Sequence, residues 1–225
     1  MGILLMSTDI KYEKRGMNMD HEPKWLEYAK RLQAIAQAGL EYSKDKYDIE
    51  RFEEIRNISI DIVNHYTDIE CEKIRDLFAS ETGYQTPKID VRAVVFKNNR
   101  ILMVKEKIDG LWSLPGGWAD IELSLKENIV KESKEEAGVQ VIPKRLIAIL
   151  DGKNMFSQPS PYSVYKIFVE CDYIKGIFKE NIETSEAHFF PLGNLPPLSP
   201  TRNNKNQIEM CFNAHKNKYH QSIFD

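Results

Sequence analysis

The sequence predicts an α+β protein, with an all-α N-terminal domain ahead of a domain built on a mixed β-sheet. Three features carry this expectation. Up to about residue 80, apolar side chains recur at three-to-four spacing, the period that lines one face of a helix. After Pro87 the pattern shortens to β-branched runs of strand length. Between two such runs, one helix is announced at both ends by its own capping residues.

From Glu22 the chain reads Glu-Pro-Lys-Trp-Leu-Glu-Tyr-Ala-Lys-Arg-Leu, with Pro23 suited to a first helical turn and Trp25, Ala29, Leu32 and Ile35 or Ala36 expected on one buried stripe. A second helix is expected from about Asp48, burying Ile49, Phe52, Ile55, Ile58 or Ser59, and Ile62. Its continuation through Ile69, Ile74 and Phe78 ends before Gly83 and Pro87. Val91, residues 93–96 and residues 101–104 read as strands around an Asn98-Asn99 turn. Further strands are expected at 145–150, 165–171 and 188–191, and a last helix at 203–215. Residues 1–19, which include Met17 and Met19, are expected to be a disordered leader. A helical domain at 20–86 and a mixed α/β domain at 87–225 follow.

Charge and cysteine content narrow the function classes. Lys and Arg number 31 against 34 Asp and Glu, a formal net charge of −3, so no global positive field exists to hold long nucleic acid. Cys71, Cys171 and Cys211 match neither a zinc spacing nor a paired disulfide framework, which fits a reducing cytoplasm. The apolar run 3–6 is too short to span a bilayer, and Met6 stands where a myristoylation signal needs Ser or Thr. No membrane association is expected.

The chemistry concentrates in Leu-Pro-Gly-Gly-Trp-Ala-Asp-Ile-Glu-Leu-Ser-Leu-Lys-Glu-Asn-Ile-Val-Lys-Glu-Ser-Lys-Glu-Glu-Ala-Gly-Val, residues 114–139. Ser124 and Glu127 form a capping box and Gly138 supplies a left-handed stop, so a helix is expected over 125–137. Glu132 and Glu136 then lie one turn apart with Glu135 beside them. Taken alone, a glutamate-rich helix face is an ordinary solvated surface. Here, however, a glycine turn at Gly116-Gly117 precedes it, where a backbone carbonyl can approach a shared ion. Carboxylate and carbonyl oxygens are what hard cations such as Mg²⁺ or Mn²⁺ accept.

The segment resembles the Nudix box, Gly-x5-Glu-x7-Arg-Glu-u-x-Glu-Glu-x-Gly-u, with u a bulky apolar residue. Gly117, Glu132, Glu135, Glu136, Gly138 and Val139 fall on the pattern. Leu123 replaces the first Glu, Lys131 the Arg, and Ser133 a bulky residue. The resemblance covers residues 88–215 and implies a Nudix α/β/α sandwich with a mixed β-sheet. The N-terminal helices are similar to those of a Nudix subgroup that hydrolyses nucleoside diphosphates linked to another moiety, such as ADP-ribose or CDP-choline. That likeness implies a nucleoside diphosphate derivative as substrate and a second copy of the chain as partner in a homodimer.

What the resemblance implies for the site is Mg²⁺-dependent hydrolysis of a pyrophosphate bond, with Mn²⁺ as a substitute. Glu132, Glu136, Glu135 and the Gly116 carbonyl are then the metal ligands, and Glu122 or Asp120 stands in for the missing first Glu. Glu186, with Glu183 as alternative, is expected to be the base. Arg92 and Arg202 are candidate phosphate clamps, and Tyr162 a candidate surface for base or ribose. The competing readings are a non-catalytic nucleotide sensor and an RNA-end processing hydrolase, the latter disfavoured by the acidic net charge.

Overall fold

The computed structural model describes residues 23–67, 71–79, 83–152 and 163–225, so the expected leader, Ile69 and Tyr162 fall outside the described residues. The chain divides into two compact units, one holding the described residues up to Pro87, the other those of 88–152 and 164–225.

The first unit consists of α1 (Lys24–Tyr42), α2 (Lys46–Tyr66) and α3 (Cys71–Phe78). Asp45 starts α2 by accepting from the amides of Tyr47 and Asp48. The small core joins Ala29, Ile60, Val63, Ile74 and Ala79. Gly39 permits close approach of α1 and α2, since a Cβ there would lie 2.3 Å from the Phe52 ring. Of the expected stripe on α1, Ala29 and Ala36 are buried, so Ala36 and not Ile35 is the inward choice. Leu26, Ala29, Gln33, Ala36 and Gln37 are buried, whereas Ile35 is 52% exposed. On α2 the buried residues are Ser59, Ile60 and Val63, and Ile58 is exposed. Apolar period alone missed part of the α1 face because Gln33 and Gln37 occupy interior positions, Gln37 reaching the Gly83 carbonyl at 2.7 Å.

The second unit contains β1 (Lys88–Lys97), β2 (Arg100–Glu106), β3 (Trp112–Ser113), α4 (Leu125–Ala137), β4 (Val139–Asp151), β5 (Val164–Gly176), β6 (Thr184–Phe190), α5 (Lys205–Lys216) and β7 (Ile223–Phe224). Among the described residues these strands form a seven-stranded sheet of order β3-β2-β1-β5-β4-β7, with β6 also pairing β2. β1 runs parallel to β5 and antiparallel to β2, so the sheet is mixed. Asn98 and Asn99 both take positive φ in the β1–β2 turn, a conformation asparagine tolerates.

Alternation along β1 sends Val91, Ala93 and Val95 to one face, where Ile129 and Ala137 of α4 pack. Val94 faces the other way and meets Ile208, Cys211 and Phe212 of α5. A helix therefore covers each face of the sheet, giving the expected α/β/α sandwich. Burying a side chain such as Ile129, fully covered here, contributes roughly 1.5–3 kcal/mol. The strands β4, β5 and β6 are longer than expected, and the two-residue strands β3 and β7 are too short to leave a period.

Candidate active site

α4 begins and ends where its caps require. Ser124 accepts from the Glu127 amide, Glu127 accepts in return from the Ser124 amide at 2.8 Å, and Gly138 closes the helix at φ 66°. With Ile129 and Ala137 anchored in the core, helical geometry places Glu132 and Glu136 at its border. They are 8% and 5% exposed. Ser133, where a bulky residue was expected, is fully buried and bonds back to the Ile129 carbonyl at 2.7 Å, which satisfies its hydroxyl within the helix.

The glycine turn lies against β1. Val91 and Ala93 donate their amides to the carbonyls of Gly117 and Pro115, each at 2.8 Å, which leaves the intervening Gly116 carbonyl outside that pairing. Gly116 has φ +138°, and a Cβ there would sit 1.9 Å from the Val91 carbonyl oxygen. Only glycine fits. Its amide donates to Glu136 Oε2 at 2.8 Å.

Burial pushes the Glu136 carboxyl well above the usual carboxylate range, and the charges of Glu106 and Glu132 push it further. Glu132 is also raised, first by burial, with Glu135 and Glu183 adding repulsion and Lys131 opposing it. These are desolvated oxygens held near other carboxylates, the donor chemistry a hard divalent cation relieves. Among the described residues no three acidic, His or Cys side chains are already drawn together around a common point. Glu135 is turned toward Lys131 at 3.2 Å, and Glu136 is engaged by Gly116.

Lys131 does not sit idle in the place of the Arg. Its ammonium lies 2.9 Å from Asp120, 3.2 Å from Glu135 and 3.5 Å from Glu132. Asp120 in turn is tied down by buried Asn128, whose Oδ1 accepts the Asp120 amide at 2.8 Å and whose Nδ2 reaches the Leu123 carbonyl at 3.1 Å. Of the two residues expected to stand in for the missing Glu, Asp120 is thus the one that meets Lys131. Glu122 occupies a turn position with φ 65°.

The remaining candidates separate clearly. Arg92 is 3% exposed, paired through Nε and Nη2 with Asp90 and through Nη1 with the Leu114 carbonyl. It faces inward and braces the turn, its guanidinium committed to protein partners where a phosphate clamp was expected. Arg202 lies 2.8 Å from Glu106. Glu186 pairs with Lys105 at 2.8 Å and His188 at 3.4 Å, and the Lys105 hydrogen bond lowers its pKa. Glu183 instead contributes to the field felt by Glu132. Trp112 packs against Phe190 as a core residue.

Sequence reasoning passed over Asp90, Glu106 and Lys166. All three are buried charges in strand runs that otherwise read as apolar, and that interruption was the available signal. Lys166 is 1% exposed and donates to the Arg202 carbonyl; burial pulls its pKa down to about 8.

Comparison with known proteins agrees with this geometry. The NUDIX domain family matches residues 86–210, and the family described as UDP-X-like, N-terminal oligomerisation domain matches 23–78. A Bacillus subtilis protein provisionally named an ADP-ribose pyrophosphatase is 50% identical over 204 residues, 91% of this chain and 98% of that one. The crystal structure of an ADP-ribose pyrophosphatase from Streptococcus suis is 44% identical, with a TM-score of 0.58 over 62% of this chain and 100% of its own. That of a UDP-X diphosphatase is 31% identical, with a TM-score of 0.59 over 93% of this chain and 100% of its own. No helix among the described residues is long and apolar enough to cross a membrane. A desolvated glutamate pair beside a glycine turn, within a sandwich that these relatives share, places the chain in the Nudix family as a pyrophosphatase.

Proposed function

We propose that the protein hydrolyses the pyrophosphate bond of ADP-ribose, giving AMP and ribose 5-phosphate, with Mg²⁺ or Mn²⁺ as the required cation. The observation that carries the metal requirement is the burial of Glu132 and Glu136, one helical turn apart, beside the Gly116 turn whose amide donates to Glu136. ADP-ribose is favoured over CDP-choline by the relatives whose names specify it. The UDP-X diphosphatase likeness makes a uridine diphosphate derivative the second choice.

In this reading Glu132, Glu136, Glu135 and the Gly116 carbonyl would hold the cation, which would supply charge neutralisation for the leaving phosphate and a more acidic water. Gly116 and Arg92 keep the turn fixed against β1. We assign proton removal from the attacking water to Glu183 in preference to Glu186, because Glu183 acts electrostatically on Glu132 while Lys105 and His188 hold Glu186. The helical unit supports a homodimer, in keeping with the oligomerisation family it matches.

The test is a panel of ADP-ribose, UDP-sugars and CDP-choline with Mg²⁺, with product identification. AMP from ADP-ribose at the highest kcat/KM supports the reading, and no metal-dependent turnover of any member overturns it. Within that panel Glu183→Gln should cost far more kcat than Glu186→Gln. The reverse order returns the role to Glu186.

A further inference from the structure

Arg202 differs from Arg92 in what its guanidinium has left to give. Arg92 is sealed among Asp90 and the Leu114 carbonyl. Arg202 is anchored through Nε beside Glu106 Oε1, on a side chain 25% exposed, and its terminal nitrogens donate no hydrogen bond to a protein atom among the described residues. A planar fork with free donors at a partly open position is suited to a phosphate.

The segment carrying Arg202 is gripped at several points. Its carbonyl accepts from buried Lys166. The neighbouring Asn203 accepts the Leu114 amide at 2.7 Å. Upstream, the Ser199 amide donates to the Trp112 carbonyl, the Trp112 amide donates to the Pro197 carbonyl, and the Ser199 hydroxyl donates to Asp109 at 2.7 Å. Glu106 sits at the centre of this seam. It is 3% exposed, ends β2, and accepts from Ser113 Oγ at 2.6 Å through the same oxygen that faces Arg202.

A carboxylate in this place is expensive. It is buried, and it adds repulsion to Glu136. Replacing a buried ion pair by apolar residues is often neutral or stabilising, so stability alone gives little reason for it. We propose that Glu106 is a positioning residue, fixed by Ser113, that holds the Arg202 guanidinium with its terminal nitrogens toward a phosphate of the bound nucleoside diphosphate. The proposal rests on the functional reading above, which supplies the diphosphate. Glu106 touches neither substrate nor cation; it acts through Arg202.

The experiment is steady-state kinetics on full-length protein with ADP-ribose and Mg²⁺, alongside calorimetric binding of ADP. Glu106→Gln preserves shape and a hydrogen bond to Ser113 but removes the charge. It should raise KM about tenfold while kcat stays within about twofold. Arg202→Met should do the same, and the double variant should be no worse than the worse single, as coupled residues require. Glu106→Asp should restore part of the lost affinity. If Glu106→Gln fails to fold, Ser113→Ala, which frees one side of the carboxylate, should move KM in the same direction. An unchanged KM, a loss confined to kcat, or additive single effects would overturn the assignment. If the wild type hydrolyses no member of the panel, the functional reading falls, and ADP binding still decides this one. Equal ADP affinity in wild type and Glu106→Gln, or no ADP binding by the wild type, defeats it.

Discussion

Glu170 and Glu136 are both 5% exposed, yet their surroundings are opposite in sign. Glu170, on β5, has His215 Nδ1 at 2.7 Å on one oxygen and Arg145 Nε at 2.5 Å on the other. His215 stacks on Phe96 with centroids 3.9 Å apart, and Arg145 also donates to the Ala214 and Asn217 carbonyls at the end of α5. These partners hold Glu170 below the usual carboxylate range despite burial. Glu136, on α4, accepts one amide and feels two carboxylates as well as the charge of Arg92, which is itself paired with Asp90, and burial together with the carboxylates pushes its pKa up. Burial therefore does not separate structural from functional charges here. The sign of the neighbours does: Glu170 is paired and fastens α5 to the sheet, whereas Glu136 forms no ion pair among the described residues.

The strongest way to break this contrast is to neutralise each centre. Glu136→Gln should lower kcat/KM by about 10³ or more, as loss of a ligand to the reacting cation would, while thermal stability without metal stays equal or rises. Wild-type turnover in that variant contradicts the ligand assignment. Arg145→Met should show the opposite pattern. Leaving Glu170 without its guanidinium and the α5 carbonyls without their cap should cost about 3 kcal/mol in denaturant unfolding, with kcat/KM of the folded protein unchanged. Lost activity at full stability would move Arg145 into the catalytic machinery.

The two centres also differ in how they couple stability to pH. Glu170 has a depressed folded pKa, so its contribution is present above the unfolded value of about 4.3 and disappears as pH falls through the folded value. Glu136 has a raised folded pKa, so its contribution is present below about 4.3 and lost as pH rises through the folded value. In chelator, Glu136→Gln should therefore gain on the wild type as pH climbs from 4 to 8. Mg²⁺ or Mn²⁺ should raise the wild-type Tm, more at high pH, and scarcely move the variant. A pH-independent difference between the two proteins would mean that Glu136 is not crowded as described.

How much of this was legible in the chain depends on the range of the interaction. The bounds of α4 were readable because Ser124, Glu127 and Gly138 act within one turn of the helix ends. The mixed sandwich was readable from strand runs and the box pattern together. The buried face of α1 was not, because Gln33 and Gln37 fill interior positions that only tertiary contacts define. Glu106 and Lys166 were invisible as a pair of supports for the Arg202 segment, since their partners lie far along the chain. Arg92 was visible, but whether a lone arginine faces outward or toward Asp90 is decided by the fold.

The smallest expected effect concerns the box departures. The Lys131 side chain is 35% exposed and its partners Asp120 and Glu135 are more open still, at 53% and 58%, and its pKa is raised first by the Asp120 hydrogen bond. Ion pairs this open contribute about 0–1 kcal/mol each. Asp120→Asn should therefore leave stability nearly unchanged and lower kcat/KM only a few-fold, by loosening Lys131 beside Glu132 and Glu135. Lys131→Arg should be neutral or mildly improving, since a planar fork can engage two carboxylates where the ammonium acts as a point charge. If Asp120→Asn were silent while Glu122→Gln reduced turnover, the substitute for the missing glutamate would be Glu122, and the seating of Asp120 by Asn128 would serve the loop alone.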